Sequence, residues 1–398
     1  MSNFYAAIEI GTTRTVLAIG EEESGGRLKI TCHAEIPSTG VRKSQILDIK
    51  QATSSIKSVL HAIEKKQSDA GSKITLGNAY LVVSGQHIKT DHYQGMVPIE
   101  GSKVGSEELN EVLESSRAMQ IPRDREFLDI VDQDYEVDAL RGITAPRGMS
   151  GRILKLNTIQ IHADRNRIDN ARTAADEAKL EIREPLFAVT CAAEAVLEDH
   201  EKRNGVLVLD IGGGSTGYAA YSDGHLVTTG VIGVGGDHVT NDIAHAFQTT
   251  NAQAEQLKID FASALIGTPG DSRVKVPGSS PLMETRTISR RALDTVVNAR
   301  LRELFTIIRE TLEDQDLLNR LHAGVVLTGG GAAMRDIDAL VQRELGMPAR
   351  TGKPIHVDGL DDEKFPASFA AVAGAIMYAS RTDEDKSILD GILGRIFK

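Results

Sequence analysis

A chain of 398 residues, 41% hydrophobic and 25% charged, has an ordinary globular composition and length for about two to four domains with sizeable cores. Its net charge of −11 excludes a nucleic-acid binder that works by neutralising phosphates. Cys32 and Cys191 stand alone without metal-ligand or redox spacing, no leader sequence opens the chain, and no apolar run approaches the ~20 residues that span a bilayer; a soluble protein of a reducing, cytoplasmic compartment is expected.

In chain order, residues 4–20 and 28–36 read as strands around a polar turn, Glu21–Arg27. Ser54 to Lys65 carries apolar residues at helical spacing (Ile56, Val59, Leu60, Ile63), and Ala79 to Val83 reads as a buried strand. From Ser84 to about Ala163 the chain turns polar, with a short helix (Glu107–Met119) and strands such as Phe127–Val137 and Leu154–His162. That predicts an inserted α+β subdomain, 84–163, within a first lobe built from 1–83 and 164–205. Helices Arg167–Lys179 and Phe187–Leu197 complete that lobe. A second lobe is expected from 206–236 and 319–380, with an outer subdomain at 237–318. The latter holds helices at 238–248 and 252–265, a Gly/Pro/Ser loop from Gly267 to Pro281 and a long helix, Arg290–Leu318. Gly324–Thr328 is an apolar strand feeding Gly329, Gly330 and Gly331, and helices Ile337–Leu345 and Ala370–Ala379 follow. Residues 381–398 form a charged linker and an amphipathic end.

Two stretches far apart in the chain read as one device. Ala7-Ile8-Glu9-Ile10-Gly11-Thr12-Thr13-Arg14 and Leu207-Val208-Leu209-Asp210-Ile211-Gly212-Gly213-Gly214-Ser215-Thr216 are each an apolar strand with a carboxylate near its end, then glycine and hydroxyl residues, then a second apolar run. Such a β-hairpin turn lacks bulk, so its backbone N–H groups are free to face an anion. Gly212-x-Gly214-x-x-Gly217 formally matches the dinucleotide fingerprint, but Tyr218–Tyr221 continues as a strand where that motif needs a helix. There is no G-x-x-x-x-G-K-[ST] either, so P-loop chemistry is excluded. Three glycine sites at strand ends point to a nucleotide held between two lobes.

These segments, in order, resemble the signature of the actin, Hsp70 and sugar-kinase ATPase superfamily. Ile8–Arg14 and Val208–Thr216 look like its phosphate segments, Val325–Ala333 its adenosine segment, and Phe187–Leu197 and Ala370–Ala379 its connecting helices. Within the superfamily the chain is most similar to the FtsA family of bacterial actin-like cell-division proteins. Glu9, the run from Val231-Ile232-Gly233 through Val239-Thr240-Asn241-Asp242-Ile243-Ala244, and the amphipathic C-terminus carry that likeness. The resemblance implies a two-lobed, actin-like α/β fold with an inserted SHS2-like subdomain and a C-terminal amphipathic helix.

It also implies a MgATP site. Gly11, Thr12, Thr13, Arg14, Gly212, Gly213, Gly214, Ser215, Thr216 and Gly236 would meet the phosphates. Glu9 and Asp210 would stand beside a Mg²⁺ held through water, since that ion keeps several waters and takes few direct protein ligands. Gly329, Gly330 and Gly331 would let the backbone pass the adenine and α-phosphate, and Glu255 with Lys258, three apart on one helical face, match ribose and purine positions. The family usually has an acid after the second phosphate turn, where this chain has Gly217. It also places a Gln or Glu near the first connecting helix, where Glu194 is the candidate catalytic residue and Glu184 lies nearby. At most a weak ATPase is expected.

At the C-terminus Ile388, Leu389, Ile392, Leu393, Ile396 and Phe397 form one apolar stripe. In FtsA-like proteins this end is a membrane-targeting helix. A ~12-residue helix is unstable alone in water, so one tail binds marginally and a filament of tails binds strongly. The resemblance further implies head-to-tail self-assembly, recruitment of later division proteins, and tethering of the division GTPase FtsZ to the cytoplasmic membrane at the division site. The FtsZ tail would dock near Asp237–Leu318, where Arg286, Arg290, Arg291 and Arg300 offer positive charge. His87 and His92, five apart in the insertion, are expected at the surface, without a metal. Two alternatives remain open: a PilM-like adaptor of a pilus or secretion apparatus, and a sugar or acetate kinase of the same superfamily.

Overall fold

The structure, a computed structural model, describes residues 4–23, 27–71, 76–267, 272–276, 285–360 and 363–382. Its architecture repeats. One sheet runs in the order Glu181–Phe187, Asn78–Val83, Phe4–Ile10, Arg14–Glu23, Arg27–Pro37 and Val357–Asp358. A second runs Ala349–Thr351, Gly324–Thr328, Val206–Ile211, Thr216–Ser222 and His225–Ile232. In both, an antiparallel meander of three strands has further strands joined in parallel beyond its first member. The registers match as well. Glu9 lies opposite Val16 and Ile10 opposite Thr15; Asp210 lies opposite Gly217 and Ile211 opposite Thr216.

The central strands are apolar on both faces because helices cover each sheet. Ala6, Ala7 and Ile8 are buried in the first core, to which helix Ile49–Asp69, packed on strands Arg14–Glu23 and Arg27–Pro37, contributes Ile56, Val59 and Ile63. That helix begins earlier than its apolar pattern shows: the Asp48 carboxylate accepts from Gln51 N at 3.0 Å, a cap generally worth about 0.5–2 kcal/mol. In the second lobe the core forms around helix Arg290–Glu313, with Val297, Leu301, Leu304 and Phe305 buried. This helix stops short of the expected Leu318, since Asp316 takes a left-handed backbone conformation, φ 53°.

A third sheet, Lys89–Pro98, Ile153–Asp164, Arg125–Val137 and Leu140–Ile143, is wholly antiparallel and carries helix Ser106–Arg117 over its own small core. It occupies the stretch expected as an inserted α+β subdomain. Two segments differ from expectation. Part of the Gly267–Pro281 loop is a two-stranded ribbon, Arg273–Val276 with Arg286–Ser289, in which Val274 and Val276 turn inward. Residues 370–382 form a helix in a core that the first sheet shares with Val206, Val208, Ala219 and Val326 of the second, with Ile376 packed on Gly20. The apolar C-terminal stripe Ile388, Leu389, Ile392, Leu393, Ile396 and Phe397 lies outside the described residues.

Candidate functional site

The two meanders point their first turns at one another across a cavity of about 490 Å³, the size of an ordinary small-ligand site. Each turn closes in the same way. Gly11 N donates to Arg14 O and Gly212 N donates to Ser215 O, both at 3.0 Å. The second turn is backed by helix Gly236–Ala246: Gly236 N donates to Gly212 O and Asp237 N to Gly213 O, each at 2.9 Å. The turns nearly touch. A β-carbon at Gly213 would fall 2.6 Å from Thr13 Cγ2, and one at Gly214 would fall 2.6 Å from Thr12 Oγ1. Any side chain there would drive the lobes apart, which is the physical reason for glycine at these positions.

Beneath the turns the matching register sets Glu9 and Asp210 into the cavity from opposite lobes. Both residues are half-buried and open onto the cavity. Burial first, then repulsion from Asp210, pushes Glu9 up to about 7, against the pull of Arg14. Burial pushes Asp210 up to about 6, opposed by a hydrogen bond from Thr328 and by Arg14. Two desolvated acids that resist ionisation suit a hydrated divalent cation, whose charge would hold both as carboxylates. Among the described residues no group of three or more ligating side chains gathers, so such an ion would keep most of its waters, as Mg²⁺ prefers.

Most of the other candidates line the same cavity: Gly11, Thr12, Thr13, Arg14, Gly212, Gly213, Gly214, Ser215, Gly236, Glu255, Lys258, Gly329, Gly330 and Gly331. Lys258 Nζ bonds Glu255 Oε2 (2.6 Å), Thr240 Oγ1 (2.8 Å) and Gly236 O (3.2 Å), fixing the rim beside the second turn. Arg14 pairs with Glu35, donates to the Ser368 carbonyl and stacks on Phe369 at 5.5 Å, so the first turn is tied to the chain entering the 370–382 helix.

Two candidates are elsewhere. Thr216 turns into its own lobe, where Oγ1 donates to Val234 O at 2.7 Å. Glu194 does not line the cavity; it bonds Lys202 (2.6 Å) and Arg381 (3.1 Å). Glu184 bonds Tyr378 instead, and the first turn of helix Ala188–Val196 offers Ala188, Val189 and Thr190, none of them acidic. Gly217 carries no acid because Val189 occupies that space: a β-carbon at 217 would fall 2.9 Å from Val189 Cβ.

The cavity also contains groups the sequence did not reveal. His87 is 8% exposed and lines the cleft, contrary to the expected surface position, whereas His92 is exposed. Ser44, Ser84 and Arg167 lie with it. Their signal is weak: Ser44 sits in the turn between Val41–Arg42 and Gln45–Ile46, Ser84 follows strand Asn78–Val83 and Arg167 is in the first turn of helix Arg165–Glu177, and only the fold brings them together. Arg300 is another correction. It faces the cleft and is held by Asp242 and Glu303, so it is not free to meet an acidic peptide. Arg286 donates to Phe247 O and Arg291 to Gly267 O, leaving part of their charge outward.

Twin sheets with facing glycine turns, joined by buried helices and carrying an inserted antiparallel sheet, define a two-lobed actin-like protein with an SHS2-type subdomain. Solved structures agree on the fold. The PilM-PilN type IV pilus biogenesis complex matches with TM-score 0.66 at 18% identity, covering 94% of this chain and 98% of that one. MreB5 of Spiroplasma citri bound to ADP matches with TM-score 0.56 at 14% identity, covering 97% and 98%. Residues 207–374 match the family described as cell division protein FtsA, and residues 85–162 match the SHS2 domain inserted in FtsA. The chain is 33% identical over 381 residues to cell division protein FtsA of Pseudomonas aeruginosa (95% of this chain, 89% of that one). To the Escherichia coli K12 protein of that name it is 31% identical over 385 residues (94% and 90%). The chain therefore belongs to the FtsA family of cell-division proteins. Among its described residues no helix is long and apolar enough to cross a membrane.

Proposed function

We propose that the chain binds MgATP in its cleft, polymerises head to tail, and tethers FtsZ to the cytoplasmic face of the membrane at the division site, where it recruits later division proteins. The approach of the bare turns Gly11–Arg14 and Gly212–Ser215 over Glu9 and Asp210 carries this reading. Backbone amides at two such turns suit a chain of phosphates, and a ligand gripped by both lobes would favour one closed, assembly-competent arrangement. Two solved MreB5 neighbours hold ADP and AMPPNP, which supports a nucleotide in the same place here. Mg²⁺, held through water by Glu9 and Asp210, would offset the charge of the phosphates.

ATP then serves mainly as a structural ligand. Glu184 and Glu194 are engaged elsewhere, and Gly217 offers no carboxylate, so turnover by the monomer is expected to be slow. The membrane and FtsZ roles rest on family membership, on the apolar stripe at Ile388–Phe397, and on the exposed arginines Arg286 and Arg291. Co-sedimentation with anionic vesicles tests them together. MgATP should increase vesicle binding of the full chain, and loss of residues 387–398 should abolish it. FtsZ tail peptide should pellet only with the full chain. Vesicle binding unchanged by the truncation would defeat the tether. The PilM likeness shows a shared fold at 18% identity, whereas the inserted-domain match and the 33% relative favour division.

A further inference from the structure

Between strand Arg27–Pro37 and helix Ile49–Asp69 the chain makes a small hairpin that joins neither large sheet. Val41–Arg42 pairs with Gln45–Ile46 and leaves a two-residue turn, Lys43-Ser44. Both turn residues have positive φ, 50° and 56°. Two-residue turns of that hand normally take Asn-Gly or a similar pair, because most side chains strain a left-handed backbone. Strain at two successive residues persists only where the surroundings hold it, and it gathers at clamps and switches.

Here the surroundings are the two glycine turns. Ser44 N donates to Thr12 Oγ1 at 2.8 Å, which ties the tip to the first turn. Lys43 lies against the second: a β-carbon at Gly214 would fall 2.9 Å from Lys43 Cα. Gly85, two residues past strand Asn78–Val83, closes another side, since a β-carbon there would fall 2.9 Å from Ser44 Cβ. The base of the hairpin is rooted in the first lobe alone. Leu47 N and Asp48 N donate to Gly40 O at 2.8 and 3.2 Å, and Thr39 N donates to Ser55 Oγ of the following helix at 3.0 Å. The hairpin therefore belongs to one lobe and wedges its tip against the other, while Ser44 and Ile46 line the cleft. Parting of the lobes would carry Gly214 away from Lys43 and remove one of the walls that hold the strained turn.

We propose that the hairpin Val41–Ile46 is a strap between the lobes, latched in its strained turn while the two glycine turns are together and released when they part, and that it sets how fast a bound nucleotide leaves. The inference rests on the cleft being a nucleotide site. Strain keeps the latch reversible: what the contacts with Thr12 and Gly214 contribute on closing is partly offset by the turn, so the strap lets go readily. A turn sequence that suits positive φ would hold longer, and one that cannot adopt it would not hold.

The test is release of a fluorescent ATP analogue from the full-length chain, followed by stopped flow on mixing with excess unlabelled MgATP. One variant, Lys43→Asn with Ser44→Gly, suits the turn. The other, Ser44→Pro, fixes φ at about −65° and has no N–H for Thr12. Thermal melting checks that each folds. The double variant should release the analogue about two- to fivefold more slowly than the unsubstituted chain, and Ser44→Pro about tenfold faster. Loss of a direct contact between Ser44 and the nucleotide would instead speed release in both, so the opposite signs belong to the latch. A folded double variant that releases at the unsubstituted rate or faster overturns the strap and leaves the nucleotide site standing, and it decides the matter alone if Ser44→Pro does not fold. A folded Ser44→Pro with unchanged release overturns the strap as well. An unsubstituted chain that takes up no analogue overturns both the strap and the nucleotide site.

Discussion

Gly374 lies with its backbone against the carbonyl of Cys191, so close that a β-carbon at 374 would fall 1.7 Å from that oxygen. Cys191 is in helix Ala188–Val196, which packs on strands of both sheets, and Gly374 is in the 370–382 helix. The two helices cross where the lobes join. Gly374→Ala should lower the melting temperature, because overpacking costs about 1–3 kcal/mol and the gain in helix propensity returns only about 1. A melting temperature at or above that of the unsubstituted chain would show that the crossing yields easily.

The two cleft acids predict a pH dependence of definite sign. Glu9 is raised from 4.5 to about 7 and Asp210 from 3.8 to about 6. The folded state therefore holds these protons more tightly than the unfolded chain. Without a cation their contribution is most favourable below pH 4 and is lost as pH rises toward 7. Glu9→Gln removes the larger part, so in denaturant unfolding without Mg²⁺ it should gain on the unsubstituted chain between pH 5 and pH 8. A difference that stays flat across that range would mean the acids are solvated in the free protein.

Val189 and Gly217 should couple. Gly217→Ala alone meets Val189 Cβ at 2.9 Å and should destabilise by about 1–3 kcal/mol. Val189→Gly removes that β-carbon, so the double variant should recover part of that loss, a coupling of about 0.5–3 kcal/mol in a denaturation cycle. Simple additivity would mean that the two residues do not share the space.

The glycine turns and their carboxylates were legible because both are local. An apolar strand, an acid near its end and a run without bulk lie within ten residues at Ala7–Val16 and again at Leu207–Thr216. The inserted subdomain was legible from its change of composition. What long-range pairing creates was not. His87 sits in Ser84-Gly85-Gln86-His87, which reads as a surface turn until strand Asn78–Val83 is set beside Phe4–Ile10. Arg167 and Arg300 look like solvated helix charges in sequence, and only the fold aims them at the cleft. The 370–382 helix follows second-lobe strands in the chain, yet it also packs on Gly20, far upstream. Glu194 stood close to a signature segment but faces Lys202 and Arg381, a matter of helix phase that proximity in sequence does not give.

The central claim is that two bare turns grip one nucleotide between the lobes. Calorimetric titration of MgATP into the full chain and into Gly213→Val tests it most directly, since a β-carbon at 213 would fall 2.6 Å from Thr13 Cγ2 and hold the turns apart. The account predicts saturable, Mg²⁺-dependent binding to the unsubstituted chain and its loss in a variant that melts like a folded protein. Equal binding by both, or no binding by the unsubstituted chain, would contradict it.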